Sequence, residues 1–444
     1  MQAFPFDEGR PVEHCAALPE RADVVIIGGG IVGVMTGYYL AERGLRAVVC
    51  EKGRIAGEQS SRNWGWVRQQ GRDPAELPLM IEANRIWRDL SKTLDLGFRQ
   101  TGVLYLANRP DDMAPFEAWM AHARAHDLDT RLLNRAEVAA LVPSSADWHG
   151  AILTPSDGRA EPWQAVPALA RAAAARGVMI REGCAVRRLD MAAGRIAGVI
   201  TEAGRIACDQ VVVAGGAWSS LFLRAHGIDL PQLSVLASVA ATGPLPEVFA
   251  GQAADSRFAF RRRADGGYTL APCGFHEIYV GPDAFRHLRK YLPQLRADPL
   301  GTRPLPAAPA HFPDAWGTPR GWAGDEQSPF ERIRILNPRP NRRALARVQD
   351  SFAAAFPAIG RPALARTWAG MIDTMPDVVP VIDRAGPAGL IVATGLSGHG
   401  FGIGPAIGRV VADIAAERAP GHDLHRFRYS RFSDGSPVVL GPSL

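Results

Sequence analysis

The chain has 444 residues, 47% hydrophobic and 21% charged, with 50 Lys and Arg against 45 Asp and Glu for a net charge of +5. That is long enough for two intertwined domains with substantial cores, and the composition is that of an ordinary globular protein rather than a disordered or fibrous one. Nearly all the positive charge is arginine, since lysine occurs only at Lys52, Lys92 and Lys290, so the excess reads as overall composition and no nucleic-acid partner is expected.

The N-terminal twenty residues contain acids and prolines and no apolar run long enough to span a bilayer or act as a signal peptide. A cytoplasmic location is expected. Cys15, Cys50, Cys184, Cys208 and Cys273 are scattered, without a Cys-x-x-Cys pair or a His/Cys spacing suited to a metal. Buried free thiols are expected, and no metal site.

From Ala22 to Lys52 the chain reads ADVVIIGGGIVGVMTGYYLAERGLRAVVCEK, a nucleotide-binding β-α-β unit. Val24 to Ile27 is a buried apolar strand. Gly28, Gly30 and Gly33 give Gly-x-Gly-x-x-Gly on the turn into a helix ending near Gly44, and a second strand, Ala47 to Cys50, delivers Glu51. Gly28 permits the tight turn, Gly30 lets the backbone approach a pyrophosphate, and Gly33 lets helix and strand pack closely. The helix N-terminus at Ile31 and Val32 attracts the anion. Glu51 stands eighteen residues after Gly33, where a carboxylate accepts both hydroxyls of an adenosine ribose and repels a 2′-phosphate. The expected ligand is an ADP-ribose-type dinucleotide.

A glycine-rich polar stretch follows from Gly53 to Asp73, then a helix from about Leu77 to Leu94. Strand is predicted near Phe98 to Leu106 and Ala151 to Leu153, and helix over Pro115 to His126 and from Pro162 to Gly177. Ala185 to Ala214 alternates in short runs around Gly194 and Gly204, as a β meander closing in VVVAGGAWSS. Further strands are predicted at Arg257 to Arg263 and Tyr268 to Ala271, before a proline-rich connection from Pro293 to Pro319. GLIVATGLSGHGFGIGPAIGRVVADIAAE then returns to strand, glycine loop and helix. The expected fold is α/β plus β: a Rossmann-like cofactor domain built from both chain ends (22–84, 150–220 and 361–444) with an inserted sheet-based substrate domain (85–149 and 221–360) and an N-terminal extension (1–21).

Four separated motifs, GGGIVG with Glu51, SSRNWG, VVVAGGAWS, and WAGMIDTMPDVVPVID followed by ATGLSGHGFGIGPAIG, give the constellation a family likeness. It resembles the FAD-dependent amine and amino-acid oxidoreductases that include D-amino-acid oxidase, glycine oxidase and sarcosine oxidase. AERGL, EKGRIAGEQSSR, KYLP and SPFE look most like the membrane-associated bacterial L-amino-acid deaminases. The resemblance implies noncovalent FAD, since no cysteine occupies Gly370 to Thr374, where relatives that tether the flavin carry one. It places Gln59, Ser60, Ser61 and Arg62 on the FAD pyrophosphate and ribityl chain, with Lys52 also at the cofactor, and Asn63, Trp64, Gly65 and Trp66 along the isoalloxazine. Val186, Gly215, Trp218 and Gly370 also face the cofactor. Gly395, Gly398, His399, Gly400, Phe401 and Gly402 would offer N–H groups and a helix N-terminus to the flavin edge where charge accumulates on reduction.

The implied chemistry is oxidative deamination by hydride loss from the α-carbon, giving an imine that hydrolyses to a 2-oxo acid. It requires an anchor for the substrate carboxylate, and an arginine fork suits that role. Glycine oxidases carry one where this chain has Ile372, and the deaminases where it has Cys273; sarcosine oxidases carry one where Arg68 falls. Arg68 is therefore the first candidate, with Arg261 to Arg263 next, and its alternative is an ion pair with Asp73 or Glu76. Tyr268 and His276 are candidates for shaping the pocket, and His399 for the flavin edge. No lysine lies between Tyr268 and Gly281, where sarcosine-type oxidases use one for oxygen, which favours a quinone or carrier protein as acceptor over oxygen. PDAFRHLRKYLPQL is a basic amphipathic segment in which Pro293 should shorten any helix; it suits peripheral contact with the inner membrane face. The other readings are a secondary-amine (sarcosine- or proline-like) oxidase or dehydrogenase, a flavin monooxygenase, and a non-catalytic FAD-binding accessory protein.

Overall fold

A computed structural model describes residues 2–442. Its first layer is a six-stranded sheet in the order Val381–Arg384, Leu390–Thr394, Gln210–Val213, Val24–Ile27, Ala47–Cys50, Met179–Arg181. All neighbours run parallel except the Val381–Arg384 edge. Helices cover such a sheet, so its central strands are continuous apolar runs, and Val24, Val25, Ile26 and Val211 to Val213 are fully buried. Strands from the start, middle and end of the chain are thus side by side.

The two ends are also joined by helices. Ile31–Glu42 packs on Gly400–Ala415, and the approach is close because the second helix presents glycines. A Cβ at Gly404 would lie 2.7 Å from Ile31 Cγ2, and one at Gly408 2.5 Å from Met35 Cβ.

The second layer is a ten-stranded sheet. It runs Thr302–Leu305, His276–Tyr279, Leu233–Thr242, Tyr268–Pro272, Phe258–Arg262, Gln252–Ala254, Val103–Ala107, Gly150–Thr154, Arg131–Asn134, and Leu364–Thr374 pairs antiparallel along Leu233–Thr242. The sequence-based partition put Gly150–Thr154 and Leu364–Thr374 with the cofactor half; both pair in this larger sheet. Leu364–Thr374 leads out of it towards the glycine loop of the first layer. The meander forms as Val186–Ala192, Arg195–Thr201 and Gly204–Ala207, but Gln210–Val213 leaves it for the parallel sheet.

Pro293 does not shorten its helix, which continues from Leu288 to Ala297. Proline removes one helical N–H there, and tertiary contacts of Tyr291 offset the loss. The Tyr291 hydroxyl donates to the Thr374 carbonyl at 2.7 Å and accepts from the Leu233 N–H at 3.2 Å. Among the described residues no helix is long and apolar enough to cross a membrane.

Candidate functional site

A cavity of about 900 Å³ extends from the carboxyl ends of Val24–Ile27 and Ala47–Cys50 to the face of the large sheet at Val235, Ala237 and Val239. Ligands of open parallel sheets lie at that end of the strands. Gly28 turns the chain there with φ 114°, and a Cβ on it would lie 2.4 Å from the Ala214 carbonyl oxygen. A Cβ on Gly33 would lie 2.0 Å from the Gly28 carbonyl oxygen. Only glycine fits either place, which leaves the start of Ile31–Glu42 bare against the cavity at Gly30, Ile31 and Val32. Gly33 itself is packed behind it. Glu51 Oε2 accepts the Gly29 N–H and Oε1 the Gly53 N–H, each at 2.7 Å. Each oxygen keeps a lone pair for a further donor.

Several candidate cofactor contacts have other work. The Ile31 N–H donates to Ser60 Oγ at 3.0 Å, so that hydroxyl caps the helix. Lys52 Nζ donates to Glu58 Oε1 and to the Ile333 and Arg334 carbonyls, and it lies over the Trp218 ring. Ser61 is fully buried outside the cavity lining, bonded to the Glu58 carbonyl, and its own carbonyl accepts from Trp163 Nε1. Gly65 lies outside it too, pressed against the Ala160 carbonyl. Arg62 donates to the Gly57 and Ala369 carbonyls and to Asn337 and stacks on Phe4. Gln59, Ser60, Arg62, Asn63, Trp64, Trp66, Val186, Gly215, Trp218 and Gly370 all line the cavity.

The glycine loop needs a similar correction. Asp373, which sequence reasoning missed although it sits within WAGMIDTMPD, accepts the Gly395 N–H at 2.7 Å, the Leu396 N–H at 3.3 Å and the Thr394 hydroxyl at 3.2 Å on Oδ2. Gly395 therefore has no N–H to offer and lies outside the lining, whereas Gly398, His399, Gly400, Phe401 and Gly402 are in it. Trp87 Nε1 holds the Gly402 carbonyl at 2.9 Å and fixes the start of the helix. His399 is the N-cap residue of Gly400–Ala415, with Nδ1 3.1 Å from Glu76 Oε2.

Beside this loop Trp64, Trp66, Tyr105 and Arg68 form a wall of the cavity. The two indoles are 5.5 Å apart and Trp66 meets Tyr105 at 5.9 Å. Arg68 lies over the Tyr105 ring, donates to the Gln70 carbonyl, and makes no ion pair among the described residues. Its expected alternative partners are engaged elsewhere, Asp73 with Arg426 and Glu76 with Arg72 and His399. The Arg68 backbone is set by Asp157, whose carboxylate accepts the Gln69 N–H at 2.7 Å and the Gln70 N–H at 3.2 Å.

The other anchor candidates are not at the cavity. Arg261 is buried and forked onto both oxygens of Glu161, Arg262 bonds the Leu245 carbonyl, and Arg263 pairs with Asp265. Tyr268 is a core residue packed on Phe260 and Phe352, with its hydroxyl accepting the Val248 N–H at 2.9 Å. His276 does line the cavity, as an exposed residue at its mouth. Arg72 was missed; it lies four residues after Arg68 and lines the cavity too.

Four lining residues carry a buried polar atom without a partner: Arg62 Nη2, Trp66 Nε1, Arg72 Nη1 and Asp373 Oδ1. A polar ligand in the cavity would give these four atoms partners, and an orphaned buried group costs about 1–3 kcal/mol. A glycine cradle and a carboxylate at the strand ends, opening on a cavity of this size, suit a dinucleotide-binding oxidoreductase. The chain belongs to the FAD dependent oxidoreductase family, which it matches over residues 23–414. The solved L-amino acid deaminase of Proteus myxofaciens, in complex with anthranilate, is similar at 32% identity and a TM-score of 0.90, covering 95% of this chain and 96% of that one. Sarcosine oxidase subunit beta of Rhizobium meliloti is 26% identical over 93% of this chain and 89% of its own. Human mitochondrial sarcosine dehydrogenase is 31% identical over 229 residues, 49% of this chain; the match spans only 25% of that longer protein. FAD fits the residues present: the helix start at Gly30 and Val32, framed by the two close-approach glycines, suits its pyrophosphate, and the Glu51 carboxylate would suit its ribose.

Proposed function

We propose that this protein oxidises the C–N bond of a carboxylate-bearing amine, in the leading reading by deaminating an amino acid to a 2-oxo acid. The observation that carries it is Arg68, a guanidinium without a carboxylate partner in a wall of Trp64, Trp66 and Tyr105 within the same cavity as the glycine cradle. FAD, when bound, supplies the two-electron acceptor for the hydride of the carbon beside the amine. The chain's part is positioning: Arg68 takes the substrate carboxylate, the aromatic wall excludes water, and the N-terminal end of Gly400–Ala415, which lines the cavity, would favour negative charge on a bound cofactor. The similarity to L-amino acid deaminase supports a primary amino acid. The position of Arg68, together with the similarity to sarcosine oxidase, supports a secondary amine as the second reading.

No cysteine stands between Gly370 and Thr374, the segment where tethering relatives carry one, so the flavin is held without a covalent bond and denaturation should release it. Among the described residues the one lysine in the lining, Lys52, is bound to Glu58, which supports a quinone or carrier as acceptor. Phe285 and Leu288 are exposed beside Arg286 and Arg289, a surface suited to peripheral membrane contact with such an acceptor.

The test is anaerobic mixing of the flavin-loaded protein with L-, D- and N-methyl amino acids, following loss of flavin absorbance. Bleaching by primary amino acids supports deamination, and bleaching by N-methyl compounds alone supports the second reading. Readmitted air then separates an oxidase from a dehydrogenase. A flavin that no amine bleaches overturns both and favours the accessory-protein reading.

A further inference from the structure

Arg72 is 2% exposed and yet lines the cavity, with Nη1 lacking any hydrogen-bond partner. Its Nε–H donates to the Arg68 carbonyl at 3.1 Å, which draws the two arginines together. The ionisable groups that interact with it electrostatically include Arg68, Glu76, Tyr105, Asp157 and His399. Glu76 Oε2 is 3.9 Å from Arg72 Nη1 and already holds His399. Asp157 is occupied by the N–H groups of Gln69 and Gln70. Glu76, whose Oε1 is also without a partner, is thus the one carboxylate within 4 Å of Arg72 among the described residues, and it stays beyond hydrogen-bond reach. A buried cation left so under-paired is disfavoured unless an anion joins it. Burial lowers Arg72 only to about 10, so it stays cationic at neutral pH.

We propose that Arg72 is the second arm of the substrate-anion site, holding the substrate carboxylate jointly with Arg68. The inference rests on the reading that the ligand beside Arg68 is the amine substrate, and it deepens it: the site demands a carboxylate and rejects simple amines. A carboxylate arriving between the two guanidiniums satisfies the orphaned Nη1 and relieves their mutual repulsion. Arg68 alone, partly exposed and already bonded to the Gln70 carbonyl, gives weaker discrimination.

The experiment titrates flavin-loaded wild type, R72M and R72K with benzoate and with neutral benzamide, following the shift in flavin absorbance, with flavin content measured on each. Wild type should respond to benzoate and not to benzamide. R72M should bind benzoate roughly tenfold to a hundredfold more weakly at unchanged flavin content. R72K should fall between, because it keeps the charge and loses the planar fork. An R72M protein that keeps its flavin and its benzoate affinity overturns the proposal. Should R72M fail to fold, R72K decides: weakened benzoate binding supports the role, and wild-type affinity overturns it. Amine bleaching is read separately. A wild type bleached by amino acids, with R72M benzoate affinity unchanged, loses this inference alone; Arg72-dependent benzoate binding in a protein no amine bleaches keeps the anion site and overturns the amine reading.

Discussion

His399 Nδ1 lies 3.1 Å from Glu76 Oε2, tying the N-cap of Gly400–Ala415 to the N-cap of Leu77–Leu90. Burial, with the cation of Arg72 second, pushes this histidine down to about 4. Its position at a helix N-terminus acts in the same direction. The neutral ring donates one N–H to Glu76, and its other nitrogen is an acceptor. In the unfolded chain a histidine titrates near 6.5. Between about 6.5 and 4 the unfolded state therefore binds the extra proton, and stability falls as pH is lowered through that window, by on the order of 3 kcal/mol from this group. Urea unfolding of wild type and His399→Asn at pH 7 and pH 4.5 checks this. The variant should lose less stability over the interval, and an identical loss in both proteins contradicts the assignment.

Glu51 holds two backbone N–H groups and is oriented towards the cavity end where an adenosine ribose would lie. Glu51→Ala removes an anionic acceptor and orphans two donors. FAD affinity of the apoprotein should drop by roughly tenfold or more, since hydrogen bonds to charged groups are worth about 1.5–3 kcal/mol. Flavin fluorescence quenching measures it, and normal loading would refute the ribose assignment.

Arg68→Ala is expected to keep its FAD, because the Arg68 side chain bonds the Gln70 carbonyl and lies over Tyr105 and not against the glycine cradle or Glu51. Its affinity for carboxylate substrates should fall roughly tenfold to a hundredfold more than for the corresponding amines. Equal changes for acid and amine, in reductive titrations of the flavin, would remove Arg68 as the anchor.

Gly33→Ala places a methyl 2.0 Å from the Gly28 carbonyl oxygen, a backbone atom that cannot move without opening the turn. Overpacking of this kind costs about 1–3 kcal/mol or more. The variant should melt earlier than wild type and purify with little flavin. A yellow protein with unchanged melting temperature would show that the helix can shift.

The β-α-β unit was legible because its signals are local. Glycines at fixed spacing, a short apolar strand and a terminal carboxylate are set by neighbouring residues, and the helix Ile31–Glu42 and strand Ala47–Cys50 follow the pattern closely. Pro293 shows where local logic failed. Tyr291 is held by residues 58 and 83 positions away, and no propensity in the segment reports that.

The sequence by itself determined the cofactor class, the return of the chain end to the first sheet, and Arg68 as a candidate. Which arginine is free to meet a ligand was decided only in three dimensions. Arg261 is consumed by Glu161, which lies 100 residues earlier, while Arg72 Nη1 stays 3.9 Å from Glu76 and without a hydrogen-bond partner. Tyr268 went to the core and Asp373 to the cavity for the same reason. A residue's chemistry is covalent and can be read in the chain, but its availability depends on partners that folding brings from elsewhere.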